Sequence, residues 1–180
     1  MTIKNDISEI VLSESDIDAI NKRLGEKITK DYEGKTPIMV GLLKGSIMFM
    51  ADLIKHVDTH MEIDFMDVSS YVGTKSTGEV KILKDLSTSV EGRHILIVED
   101  IVETGTTLNS IIEFLQYRKV ASIEIVTLLD KPVEERKLDV NVKYVGTEIP
   151  DGFVVGYGLD FDQKYRNLPY IGLLKPEFYS

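Results

Sequence analysis

The stretch from Ile95 to Leu108 limits what this chain can fold into more than any other. Four apolar residues, Ile95-Leu96-Ile97-Val98, run into the adjacent carboxylates Glu99 and Asp100, and a third acid, Glu103, precedes Thr104-Gly105-Thr106-Thr107. Apolar positions then recur at Leu108, Ile111, Ile112 and Leu115, the spacing of one face of a helix. A continuous apolar run of this kind reads as a strand buried on both faces, which is the state of strands in a parallel sheet covered by helices. The turn that follows therefore sits at the carboxyl edge of the sheet, where open α/β folds bind their ligands. Thr104 to Thr107 offer hydroxyls and consecutive backbone N–H groups, Gly105 lets the chain bend closely, and a helix N-terminus follows, so the turn has the chemistry of a phosphate cradle. Glu99 and Asp100 stand where they could accept hydrogen bonds from two neighbouring hydroxyls or face a hydrated magnesium ion. A phosphate seat beside a diol clamp describes a phosphorylated ribose.

Those residues, Val98-Glu99-Asp100-Ile101-Val102-Glu103-Thr104-Gly105, resemble the phosphoribosyl-pyrophosphate motif of the type I phosphoribosyltransferases and, more narrowly, of their hypoxanthine-guanine branch. The likeness extends from about Leu12 to Leu174. It implies a single domain over 1–180: a doubly wound α/β core of mostly parallel strands, with a small hood from the N-terminal segment and about 151–174.

Before that motif, Ser13-Glu14-Ser15-Asp16 supplies helix-cap residues, and Ile17, Ile20, Leu24 and Ile28 continue as an amphipathic helix ending near Tyr32. Ile38 to Leu43 is a second apolar run, followed by Lys44-Gly45-Ser46 and a helical pattern at Ile47, Met50, Leu53 and Ile54. Strand, tight turn and helix again place a turn at the ligand edge. By resemblance Lys44 and Gly45 form the pyrophosphate loop. Met61, Ile63 and Phe65 alternate with polar residues, which predicts a strand with one buried face. From Ser69 to Glu79 apolar periodicity is lost. The segment is expected to be a mobile lid that excludes water, and Ser70-Tyr71 matches the lid dipeptide of the family.

Downstream, Ser122 to Leu129 is another β-rich run ending at Asp130-Lys131-Pro132. A lysine there points into the ligand edge and can donate to a carbonyl oxygen, and the resemblance assigns Lys131 to the 6-oxo group of a purine. Lys143 to Ile149 alternates as a strand. In Asp151 to Asp160 the resemblance implies that Phe153 stacks on the purine, that Val154 offers backbone groups, and that Asp160 lies near the exocyclic edge and a metal-bound water. Arg166 matches the arginine that reaches the pyrophosphate, a task that suits a fork of N–H donors.

The implied reaction joins a 6-oxopurine to the ribose 5-phosphate of phosphoribosyl pyrophosphate, with magnesium as cofactor. Asp160, Glu99 and Asp100 are the candidate metal carboxylates, partly through water. The family carries Asp directly before the Thr-Gly pair as its proton acceptor, whereas this chain carries Glu103, so the base is displaced by a methylene.

The formal net charge of −9 argues against a general nucleic-acid binder, which needs a basic face. It also weighs against a regulatory RNA-binding relative of the same fold. Lys131 and Phe153 argue against a pyrimidine-specific relative. No run of about 18 apolar residues predicts a membrane span. The chain contains no cysteine, which fits a cytoplasmic enzyme. A homodimer or homotetramer is implied by the resemblance alone.

Overall fold

The computed structural model describes residues 2–70, 80–131, 142–149 and 151–179. Strand β1 (Ile7–Leu12) leads into helix α1 (Glu14–Asp31), and β2 (Ile38–Leu43) into α2 (Ile47–Leu53). Strands β3 (Glu62–Ser70) and β4 (Val80–Lys84) follow, then β5 (His94–Val102), α3 (Thr106–Tyr117), β6 (Ser122–Asp130) and β7 (Tyr144–Glu148). The short β8 (Val154–Val155) and β9 (Ile171–Leu174) come last.

Six of these strands form one sheet in the order β4-β3-β2-β5-β6-β7. All neighbours in it run parallel except β3 and β4, so only one edge is antiparallel. The apolar run of the central motif lies at the middle of this sheet, and Ile95, Leu96, Ile97 and Val98 have no exposed surface. Because successive side chains of a strand point to opposite faces, the run divides between two cores. Leu96 and Val98 pack with Ile17, Leu24 and Ile28 of α1 and Phe49, Met50 and Leu53 of α2. Ile95 and Ile97 pack on the other face with Leu108, Ile111, Ile112 and Leu115 of α3. Helices thus cover both faces, the doubly wound arrangement. Truncating Leu96 to Ala at this centre is expected to cost about 2–5 kcal/mol, read as a lower urea midpoint with an unchanged slope.

The start of α1 shows how local chemistry fixes an element. Ser13 caps it through a reciprocal box: the Asp16 N–H donates to Ser13 Oγ at 3.3 Å, and the Ser13 N–H donates to Asp16 Oδ2 at 2.9 Å. Two otherwise unpaired donors at the helix end are satisfied together. The alternation around Ile63 proves less regular than its pattern suggests. Met61 and Phe65 pack against the core beside α2, but Ile63 between them is 53% exposed, and the fully buried residue of β3 is Met66 on the opposite face. Alternation predicts the strand, but its covered face is incomplete, with the middle position left open.

The two ends of the chain meet in a second sheet, antiparallel and ordered β1-β9-β8. Ile10 pairs with Gly172 and Val154 with Leu173. Val154, Tyr157, Leu159 and Ile171 from this region join the same buried cluster as α1 and α2. The parallel registers align the carboxyl ends of β2, β5 and β6: Gly41 lies opposite Val98, and Val102 opposite Asp130. Lys44, Glu103 and Lys131, each just past its strand, therefore lie on one edge, and the Lys131 N–H is fixed to the Val102 carbonyl at 3.0 Å.

Candidate active site

The turn after β5 forms a hollow lined by Glu99, Glu103 and Thr104 to Thr107. Gly105 caps α3 with φ of 75°, a left-handed conformation that costs a glycine nothing and strains residues with a Cβ. The first intrahelical donor is Asn109 N–H to the Gly105 carbonyl at 2.9 Å. The N–H groups before it precede that first intrahelical bond and stand at the positive end of the helix dipole, where an anion is favoured, the Thr106 N–H reaching Thr104 Oγ1 at 3.5 Å. Thr104 and Thr106 add hydroxyls 3.3 Å apart. This geometry suits a phosphate monoester.

Glu99 and Asp100, consecutive in β5, border two adjoining hollows that share Ile101 and Glu103 as walls. Glu99 lines the threonine hollow, and Asp100 lines a second cleft. Burial pushes the Glu99 carboxyl well above its ordinary range, with the charge of Asp100 adding to the effect. Burial also pushes Asp100 up to about 6. The Ile101 N–H and the Arg166 guanidinium pull it down, and the charge of Asp160 pushes it up. The Asp100 carboxylate lies against the backbone of Gly45, where any Cβ would overlap it. Gly45 is therefore required for the loop after β2 to approach the end of β5, and the Leu43–Lys44 peptide bond in that loop is cis.

Above this contact lies a charged network. Arg166 pairs with Asp160 at 2.8 Å and donates to the Gly158 carbonyl at 2.6 Å. Asp160 also accepts from the Gln163 N–H at 2.8 Å, and the Gln163 side-chain oxygen accepts from Lys44 Nζ at 3.3 Å and from Arg166 at 3.4 Å. Two cations from distant parts of the chain are thus aimed at one place.

The second cleft is lined by Asp100, Ile101, Glu103, Lys131, Gly152, Phe153, Val154, Leu159 and Asp160. Lys131 Nζ lies 2.9 Å from Glu103 Oε1 and 3.4 Å from the Gly152 carbonyl. An aromatic ring, three aliphatic side chains, an ammonium and carboxylates around one slot can hold a flat, polar-edged base.

Comparisons with known proteins place the whole chain in a family. The model of the phosphoribosyl transferase domain family matches residues 9–162. The hypoxanthine-guanine phosphoribosyltransferase of Staphylococcus aureus is 66% identical over 98% of both chains. That of Staphylococcus epidermidis is 64% identical over 97% of this chain and 98% of its own. A crystal structure of a hypoxanthine phosphoribosyltransferase from Staphylococcus aureus superposes with a TM-score of 0.94 at 65% identity, covering 99% of this chain and 97% of that one. This chain belongs to the hypoxanthine-guanine phosphoribosyltransferases.

In this phosphoribosyltransferase fold, Lys44, Gly45, Glu99, Asp100, Glu103, Thr104 to Thr107, Lys131, Phe153, Val154, Asp160 and Arg166 all gather at the carboxyl edge of the main sheet. Ser70 ends β3 and its side chain, like all of Tyr71, lies outside the described residues, as does the rest of the expected lid up to Glu79. Sequence reasoning did not single out Ile101 and Leu159, two of the aliphatic walls of the second cleft. Their signal was present, since each stands beside a carboxylate expected in the site. Gln163, which joins Lys44 to Arg166, had no signal, because a glutamine in a polar loop is ordinary.

Proposed function

We propose that this enzyme transfers the 5-phosphoribosyl group from phosphoribosyl pyrophosphate to N9 of hypoxanthine or guanine, giving IMP or GMP and releasing pyrophosphate. The observation that carries the reading is the juxtaposition of the threonine cradle with the Lys131–Phe153 cleft on one edge, with Glu103 lining both. Thr104 to Thr107 hold the 5-phosphate. Glu99 and Asp100 take the ribose hydroxyls. Lys44, Gly45 and Arg166 hold the pyrophosphate. Phe153 stacks on the base, Lys131 donates to its 6-oxo group, and Val154 and Asp160 meet the opposite edge.

In the reaction the bond from the anomeric carbon to the pyrophosphate oxygen breaks as the bond to N9 forms. Positive charge grows on the ribose and negative charge on the leaving group, which Arg166 and Lys44 are placed to stabilise. The purine loses a proton, and Glu103 is the carboxylate on the base cleft that can accept it from N7. Closure of Ser70 and Tyr71 over the site would keep water from the cationic sugar.

The donor set also fits magnesium. Asp100 and Asp160 face one cleft, and the charge of Asp160 disfavours the charged form of Asp100, a conflict that a bound cation relieves. Magnesium asks for one or two carboxylates when substrate oxygens and water supply the rest. Asp100, Asp160 and Glu99, partly through water, would hold it, where it neutralises pyrophosphate charge. A cytoplasmic location and a homodimeric or homotetrameric state belong to the same proposal.

Ultraviolet-monitored nucleotide formation from phosphoribosyl pyrophosphate, magnesium and a panel of bases tests it. Turnover is expected with hypoxanthine and guanine and not with adenine or uracil. Turnover of uracil alone, or of no base, would overturn the assignment.

A further inference from the structure

The ring proposed to stack on the base is itself stacked. Phe153 lies with its centroid 5.3 Å from that of Tyr179 at an interplanar angle of 29°, and 5.3 Å from Phe161 at 85°. Neither Tyr179 nor Phe161 lines the cleft that Phe153 shares with Lys131, Ile101 and Leu159. Tyr179 therefore stacks on Phe153 without forming part of the cleft wall. Without it, the edge contact with Phe161 would be the remaining ring contact on Phe153 among the described residues, and the ring is already 37% exposed.

The position of Tyr179 is itself fixed. The Lys175 N–H donates to the Asp6 carbonyl at 3.0 Å, and Lys175 Nζ to the Asn5 carbonyl at 2.6 Å, so the residue after β9 is tied to the N-terminal segment. Pro176 then opens a 3-10 turn over Pro176–Phe178, a position where its fixed φ is favourable and its missing N–H costs nothing. The Phe178 N–H donates to the Lys175 carbonyl at 3.0 Å and the Tyr179 N–H to the Pro176 carbonyl at 3.1 Å. The C-terminal turn thus brings an aromatic ring back onto Phe153.

From this we infer that Tyr179 is a positioning residue for the purine: it clamps Phe153 in the orientation that receives the base. The inference rests on the purine reading of the cleft. A ring held before the ligand arrives loses less freedom on binding, which improves affinity without adding a contact to the ligand. Because the contact is made by the ring face, the hydroxyl is dispensable.

The test compares full-length wild type, Tyr179→Ala and Tyr179→Phe, measuring kcat and the KM for hypoxanthine and for phosphoribosyl pyrophosphate separately. Tyr179→Ala is expected to raise the KM for hypoxanthine about three- to tenfold, the size of one aromatic pair. The KM for phosphoribosyl pyrophosphate and kcat stay near wild type, and Tyr179→Phe restores the purine KM. An equal rise in both KM values would mark a general disturbance and overturn the inference. So would an unchanged purine KM, or a fall in it, which would show Tyr179 competing with the base. Wild-type enzyme inactive with both purines would overturn the purine reading, and the inference with it.

Discussion

Glu103→Gln is expected to lower kcat by about 10²–10⁴-fold, the usual worth of a positioned proton acceptor. The substitution keeps the length and shape of the side chain and removes only its basicity, so it separates chemistry from packing. It also removes the charge partner of Lys131, which lies 2.9 Å away. That pair is open to solvent, with Glu103 46% and Lys131 21% exposed, and exposed pairs contribute about 0–1 kcal/mol. The thermal midpoint should therefore hardly move while turnover collapses. Glu103→Asp is the complementary variant. It keeps the carboxylate and shortens it to the length the family uses, so turnover is expected at or above the wild-type rate. Full activity in Glu103→Gln, or an inactive Glu103→Asp, would remove Glu103 from the role of base. Steady-state assays with hypoxanthine at saturating phosphoribosyl pyrophosphate would decide it.

The chain's topology was legible wherever burial leaves a period in the sequence. Ile95 to Val98 announced a strand covered on both sides, and Leu108, Ile111, Ile112 and Leu115 announced the helix that covers one of them, because such residues are sorted by water before any neighbour is known. The edge on which the ligand residues meet also followed, since a βα turn can open only at the carboxyl end of its strand. What the sequence withheld were relations between distant segments. That Gly45 must lack a side chain to admit the Asp100 carboxylate depends on how closely β2 and β5 bring two loops together. That Glu99 and Asp100 border two adjoining hollows, which share Ile101 and Glu103 as walls, is not revealed by the motif. Ile63 shows the opposite case: its alternation predicts a strand and a strand forms, but whether a neighbour covers the side chain is not in the pattern, and it is left exposed.

Asp100→Asn is expected to make the ligand-free protein more stable while abolishing productive binding of phosphoribosyl pyrophosphate. In the fold, burial raises the Asp100 carboxyl to about 6 from an unfolded value of 3.8. A group whose folded pKa is raised contributes stability that is complete below the unfolded value and is lost as pH rises through the folded one. At pH 7.5 the native protein therefore carries a buried charge at a cost of roughly 1–3 kcal/mol, allowing for the water that an open cleft admits. Asparagine removes the charge and can still accept from the Ile101 N–H, which donates to Asp100 Oδ1 at 2.9 Å. The thermal midpoint of the apo variant should thus exceed that of wild type at pH 7.5, and the difference should shrink towards pH 4, where wild-type Asp100 is itself neutral. Binding changes in the opposite direction. A neutral amide no longer offers charge to magnesium or two acceptors to a ribose diol, so titration calorimetry with magnesium phosphoribosyl pyrophosphate should register no heat of binding. In the wild type that binding should weaken as pH falls through about 6, the same protonation seen from the ligand's side. An Asp100→Asn protein less stable than wild type at pH 7.5 would mean that the carboxylate serves the fold. A more stable, inert protein would show that the cost is kept for the ligand, whose cation and hydroxyls complete the stabilisation of a charge that Arg166 and the Ile101 N–H offset only in part.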